Sequence, residues 1–149
     1  MEIQRQVVVA GPMTSVFALV DDLDRYPSWM DLVHDVARVS AVPTDEGPAW
    51  EVELRAQVGP FARSKRLRMV RTVHDAPATV VFERSEVDGR RHAAWTLRAE
   101  LEAGDADSVR LAMTLRYGGN LWTGAVLQRV LDDHVERGAA ALVALRSTH

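Results

Sequence analysis

The residues of this chain that could do chemistry at neutral pH are few and far apart: Arg71, His134 and Tyr26. His134 lies within TGAVLQRVLDDHVERGAAALVALR, Thr123 to Arg146. There Leu127, Val130, Leu131, Val135, Ala141, Leu142 and Leu145 recur at spacings of three and four. At about 100° per residue they share one helical face, with His134 and Gly138 at its centre. An imidazole in that place is either a pocket-lining acid/base or a core-edge histidine satisfied by a carbonyl or water. Gly138, one turn on, suggests a packed face with a hollow in it. Arg71 shares strand parity with Leu67 and Met69. Pointing inward, it would need an anion, a carbonyl or a carboxylate. It either steadies a ligand enolate by the logic of an oxyanion hole, or turns to solvent or pairs with Glu83. Tyr26 sits in the crowded stretch DRYPSWMDL, Asp24 to Leu32, as a further proton shuttle.

Large rings are numerous: Trp29, Trp50, Trp95, Trp122, Tyr26 and Tyr117. They either line an apolar pocket for a flat ligand or form ordinary core. With Leu54, Met69, Leu97, Met113 and Gly138, the rings of Trp29, Trp50, Trp95 and Tyr117 make up the candidate ligand-lining set.

Other chemistries lack their residues. There is no cysteine, which removes disulfides, thiol catalysis and Cys-based metal sites. His34, His74, His92 and His134 fall on separate elements without metal-ligand spacing, so no metal is expected. Gly118-Gly119-Asn120 lacks the spacing of a phosphate cradle and reads as a turn. RSKRLRMVR, Arg63 to Arg71, splits its charges between the two faces of a strand. In a chain of net charge −3 it reads as a solvated outer face, not a nucleic-acid surface.

These residues need elements to position them. Ile3 to Ala10 reads as a strand stopped by Gly11-Pro12. Val16, Phe17, Leu19, Val20 and Leu23 follow helical spacing, and Pro27 separates a second short helix or turn, Asp24 to Leu32. The period then changes to two. Strands are predicted over Val33–Val42, Trp50–Val58, Arg66–His74, Thr79–Val87, Ala93–Leu101 and Val109–Tyr117, with a hairpin signal at Asp88-Gly89. Successive hairpins favour an antiparallel sheet with one apolar face, which the long final helix can cover. The fold class is therefore α+β: a curved antiparallel sheet of about seven strands wrapped around a C-terminal helix, with two short helices after the first strand. Strong curvature would leave an internal cavity.

A chain of 149 residues fits one domain, 1–149, able to bury roughly 68–70% of its unfolded surface. No apolar run approaches the ~20 residues of a membrane span, and the N-terminus lacks a signal peptide's features, so a cytoplasmic protein without stable membrane insertion is expected.

The element order resembles, over essentially the whole chain, the START-related, birch-pollen-allergen-like helix-grip superfamily (SRPBCC). Within it the chain is most similar to the bacterial polyketide cyclase/dehydrase group. The local marks are VFALVDDLDRYPSWM, Val16 to Met30, where a D-x-x-x-[YW]-P pattern follows the first helix, and AWTLRAEL, Ala94 to Leu101. The first also resembles coenzyme-Q-binding members. The resemblance implies a cavity for a hydrophobic, aromatic or polyketide-like molecule, no cofactor, and a monomer or homodimer that an acyl carrier protein could serve. It also implies an inward arginine on a middle strand, acting with tyrosine and tryptophan on a bound poly-ketone. That strand here carries Arg66, Arg68 and Arg71. Arg71 lies nearest the family position, though a direct alignment places Thr72 there and Val33 at the family's tyrosine. Tyr26 and Trp95 match aromatic positions. The two departures bear on cyclase chemistry and favour a carrier of a lipid, isoprenoid quinone or similar ligand.

Overall fold

The computed structural model describes residues 2–58, 60–118 and 125–147. Gly119, Asn120 and Trp122 lie outside the described residues, as do the side chains of Leu127, Val130, Leu131, Val135 and Leu145. Strand β1 (Glu2–Ala10) leads into α1 (Met13–Val20) and a 3-10 helix (Leu23–Ser28). Then come β2 (Val33–Val39), β3 (Ala49–Val58), β4 (Phe61–Asp75), β5 (Thr79–Arg84), β6 (Trp95–Ala103) and β7 (Ser108–Tyr117), and α2 (Ala125–Ser147) ends the chain. The architecture is α+β, as the alternating and helical periods predict.

The strands form one antiparallel sheet in the order β1-β7-β6-β5-β4-β3-β2. Helix α2 packs on both β1 and β3, which lie far apart in that order. A single helix can touch both only if the sheet curls around it, and the inner face is the one that does so. Alternation decides which side chains take that face. Along β7, Val109, Leu111, Met113, Leu115 and Tyr117 are buried, and along β6 Trp95, Leu97, Ala99 and Leu101. The register sets these in rows, for instance Ile3–Leu115–Leu97–Phe82. Fully burying each large apolar side chain is worth about 1.5–3 kcal/mol, so the rows make slippage by one residue very costly.

Strand lengths differ from expectation at the end of β5 and at the start of β4. Strand β5 stops at Arg84, and the hairpin expected at Asp88-Gly89 is instead a loop of residues 85–94. Arg84 explains this: its side chain reaches the Ala93 carbonyl at 3.2 Å and Glu86 at 2.6 Å, holding the loop back from the ladder. Strand β4 begins five residues earlier than its alternation indicated, at Phe61. Its first residues pair only with β3, down to Val58–Phe61, while pairing with β5 begins at Met69 and β2 reaches only Leu54. The β3–β4 hairpin therefore projects beyond the sheet as a two-stranded arm.

Among the described side chains of α2 the buried positions are His134, Gly138, Ala139 and Leu142, whereas Ala141 is exposed. Ala141 was placed on the apolar face by its spacing. The buried stripe drifts round the helix from residue 134 through 138 to 142, and residue 141, about 60° from 138 and about 100° from 142, falls at its edge. Gly138 leaves no hollow either. A Cβ there would lie 3.2–3.4 Å from Met30 side-chain atoms, so Met30 already fills the notch.

Candidate functional site

The seven ligand-lining candidates that lie on strands, Trp50, Leu54, Met69, Trp95, Leu97, Met113 and Tyr117, share the inner face and are buried. Four of them fall on a single row. Trp50 faces Met69, Met69 faces Arg84, and Trp95 faces Tyr117. Arg84 and Trp95 stand one step beyond the Glu83–Thr96 pair, which closes the row. The Trp95 and Tyr117 rings stack at 5.2 Å. Trp50 meets Phe82 edge-on at 5.6 Å, and Phe82 meets Tyr26 edge-on at 6.0 Å. The Arg38 guanidinium lies 5.2 Å from the Trp50 ring centroid.

Trp50 is fully buried, yet its Nε1–H has no hydrogen-bond partner among the described residues. Leaving such a donor unmet costs about 1–3 kcal/mol, so it stands out on an apolar wall.

The remaining two ligand candidates, Trp29 and Gly138, are occupied with packing. The Trp29 indole N–H donates to the Leu19 carbonyl at 3.1 Å, and Gly138 receives Met30.

Arg71, not Thr72, is on the inner face. It sits opposite Phe82 in the register, and the bulge that follows sends Thr72 and Val73 outward, beside Val81. The Arg71 side chain neither reaches solvent freely nor pairs with Glu83, which faces Val70. Its Nη1 donates to the Asp21 carbonyl at 2.9 Å, at the C-terminal end of α1. A cation there satisfies an orphan carbonyl and the negative end of the helix dipole. The Asp21 carboxylate in turn holds His74 Nε2 at 3.0 Å, and His74 stacks on Phe17 at 5.5 Å.

Tyr26 joins the same neighbourhood. It is fully buried, and its hydroxyl donates to the Val20 carbonyl at 2.8 Å. Burial first, and the Asp21 carboxylate second, push that hydroxyl far above the usual phenol range, so it keeps its proton at neutral pH.

His134 belongs to a separate group. Its Nδ1 lies 2.7 Å from Asp31 Oδ1, while Arg137 Nη2 lies 3.4 Å from Asp31 Oδ2 and 3.2 Å from His134 Nδ1. Arginine and a protonated Nδ1 cannot donate to each other. The shorter contact decides: Nδ1 carries a proton and donates to the carboxylate, so Nε2 is the nitrogen left to exchange a proton with a ligand. Partial burial pulls the Asp31 carboxyl up. The hydrogen bond from His134, with the charges of His134 and Arg137, outweighs that and holds it below the usual carboxylate range. A cleft of about 460 Å³ opens beside this group, bounded by Ser28, Trp29, Asp31, Arg137 and Ala141. Recesses of about 590 and 420 Å³ lie on the outer face, among charged strand residues. Among the described residues no three His, Asp or Glu side chains converge as a metal site would require.

Two charged groups were missed or misplaced by sequence reasoning. Arg84 is an inner-row cation with its side chain only 8% exposed, held by Glu86, the Ala93 carbonyl and His92. Its parity with Val80 and Phe82 was the available signal. Arg68 was assigned to a solvated face. It is buried, and it makes a paired contact with Asp45: Nη1–Oδ1 3.0 Å and Nη2–Oδ2 2.6 Å. It also donates to the carbonyls of Ser85 and Ser40. The β2–β3 loop folds over this side of β4 and excludes water, which strand parity alone cannot reveal.

A curved antiparallel sheet gripping a C-terminal helix, with an aromatic row on its inner face, is a helix-grip architecture. The chain belongs to the family described as polyketide cyclase / dehydrase and lipid transport, whose model matches residues 9–143. No curated protein matches the sequence. Among solved structures, a START superfamily protein from Mycobacterium smegmatis is 14% identical with a TM-score of 0.75, covering 99% of this chain and 97% of that one. The Zhui aromatase/cyclase from Streptomyces sp. R1128 is 14% identical with a TM-score of 0.68, covering 99% and 93%. The di-domain aromatase/cyclase StfQ of the steffimycin biosynthetic pathway is 15% identical with a TM-score of 0.70, covering 99% of this chain and 50% of that one. These likenesses are of fold.

Proposed function

We infer that this chain binds a flat hydrophobic molecule, aromatic or polyketide-like, in a cavity between the inner face and α2, and that it acts in the cytoplasm. The observation that carries the reading is the Trp50 indole. A buried donor without a partner among the described residues, set in a row with Met69, Trp95 and Tyr117, supports an apolar wall on which this indole offers a hydrogen bond to a ligand carbonyl or hydroxyl. Family membership supports the same substrate class. The test is titration with a tricyclic hydroxyanthraquinone and, separately, a saturated long-chain fatty acid, monitored by intrinsic tryptophan fluorescence. Saturable quenching by the first, weakened about three- to tenfold in Trp50→Phe, is expected. No saturable response to either ligand would end the reading.

Two alternatives differ in the fate of the bound molecule. Carriage of a lipid or isoprenoid quinone without chemistry is supported by the engagement of Arg71 with Asp21 and of Tyr26 with Val20. Cyclisation or dehydration of a poly-ketone delivered by an acyl carrier protein is supported by His134, whose Asp31 partner selects the tautomer a general base needs. Unchanged product distribution in both Arg71→Ala and His134→Ala would leave carriage as the function.

A further inference from the structure

The projecting β3–β4 arm combines features that the ligand site does not use. Between Leu54 and Leu67 the chain has four cations, Arg55, Arg63, Lys65 and Arg66, and no acid, although the whole chain is net acidic. Phe61, at the tip, is 64% exposed. Alternation divides the arm into two faces. On one, Arg55 and Arg66 share Glu53, at 3.9 and 3.3 Å. On the other, Phe61, Arg63 and Lys65 follow one another at every second residue. Neither Arg63 nor Lys65 makes a hydrogen bond or ion pair among the described residues; Arg63 is exposed, while Lys65 is half-buried and feels the charges of Arg84 and Glu86. This face continues the inner face of the sheet, since Lys65 stands opposite Leu54 and Met69 opposite Trp50.

We propose that the Phe61–Arg63–Lys65 face of the arm docks on an anionic lipid bilayer, with the Phe61 ring entering the headgroup boundary and the two cations meeting lipid phosphates. An aromatic tip followed by two cations on long stems is what a negatively charged interface attracts: the ring gains apolar contact and the stems keep their charges at the phosphate level. An acidic protein surface would satisfy the cations but gives no reason for a bare phenyl ring at the most projecting point. The arm lies on the same face as the ligand row, so docking would present that row to the lipid. This goes beyond the proposed ligand and stands whether or not that ligand is correct.

The experiment is co-sedimentation of the purified full chain with vesicles of phosphatidylcholine plus phosphatidylglycerol, against phosphatidylcholine alone. Binding to the anionic vesicles only, weakening between about 0.1 M and about 1 M salt, is expected. Each of Arg63→Gln and Lys65→Gln should weaken it about fivefold, and Phe61→Ser should weaken it too while leaving the thermal midpoint unchanged. Equal binding to neutral vesicles, no binding to anionic ones, or wild-type binding by all three variants would overturn the proposal. So would capture on immobilised poly-glutamate without vesicle binding, which assigns the arm to an acidic protein partner. The fluorescence titration contains no vesicles, so failure there and failure here are distinguishable.

Discussion

Met30 lies against Gly138 so closely that a Cβ on the glycine would stand 3.2 Å from the methionine's terminal carbon. One residue on, Asp31 receives His134 at 2.7 Å. The segment after the 3-10 helix is thus pinned to α2 by a knob in a notch and by a hydrogen bond. Gly138→Ala should change stability by less than about 1 kcal/mol, because the gain in helix propensity of about that size offsets a small shift of a flexible side chain. Gly138→Leu should destabilise by about 1–3 kcal/mol through overpacking. Urea unfolding monitored by circular dichroism measures both.

The Arg68–Asp45 pair fixes the β2–β3 loop over β4, and Asp45 also accepts from the Val42 N–H at 2.7 Å. Asp45→Ala strands a buried guanidinium and should cost about 3–5 kcal/mol. The double replacement Asp45→Leu with Arg68→Met should recover part of that loss. Chemical denaturation of the three variants decides it. A double variant no better than Asp45→Ala would show that the loop needs the charge pair itself.

Stability should fall in acid, and the sign comes from two carboxyls. Asp45 is lowered by its hydrogen bond from Arg68, against burial, and Asp31 is lowered by His134 and Arg137, also against burial. A carboxyl lowered in the folded state contributes stability that is fully present above its unfolded value of about 3.9 and is lost as pH falls through the folded value. Thermal midpoints should therefore stay level from neutral pH down to about 4 and drop below it. Asp45→Asn should flatten that drop.

Arg71 tests structure against chemistry. If its task is to close α1, Arg71→Met should lower stability by about 1–2 kcal/mol with no ligand present. Calorimetry of the ligand-free protein reads this directly. An unchanged midpoint would leave Arg71 free to act on a substrate.

Strand alternation and helical spacing were local signals, and they determined the α+β class, the seven strands and most of their inner faces. Each is set by the repeat of the backbone itself, so nothing distant is needed to read them. The partners of the polar groups were not local. Arg71 meets Asp21, His134 meets Asp31, and Arg68 meets Asp45, each across a long stretch of chain. A charged side chain announces only that it needs a partner once water is removed. Which carbonyl or carboxylate supplies it, and whether a glycine opens a hollow or receives a methionine, is decided by the curl of the sheet and the docking of α2.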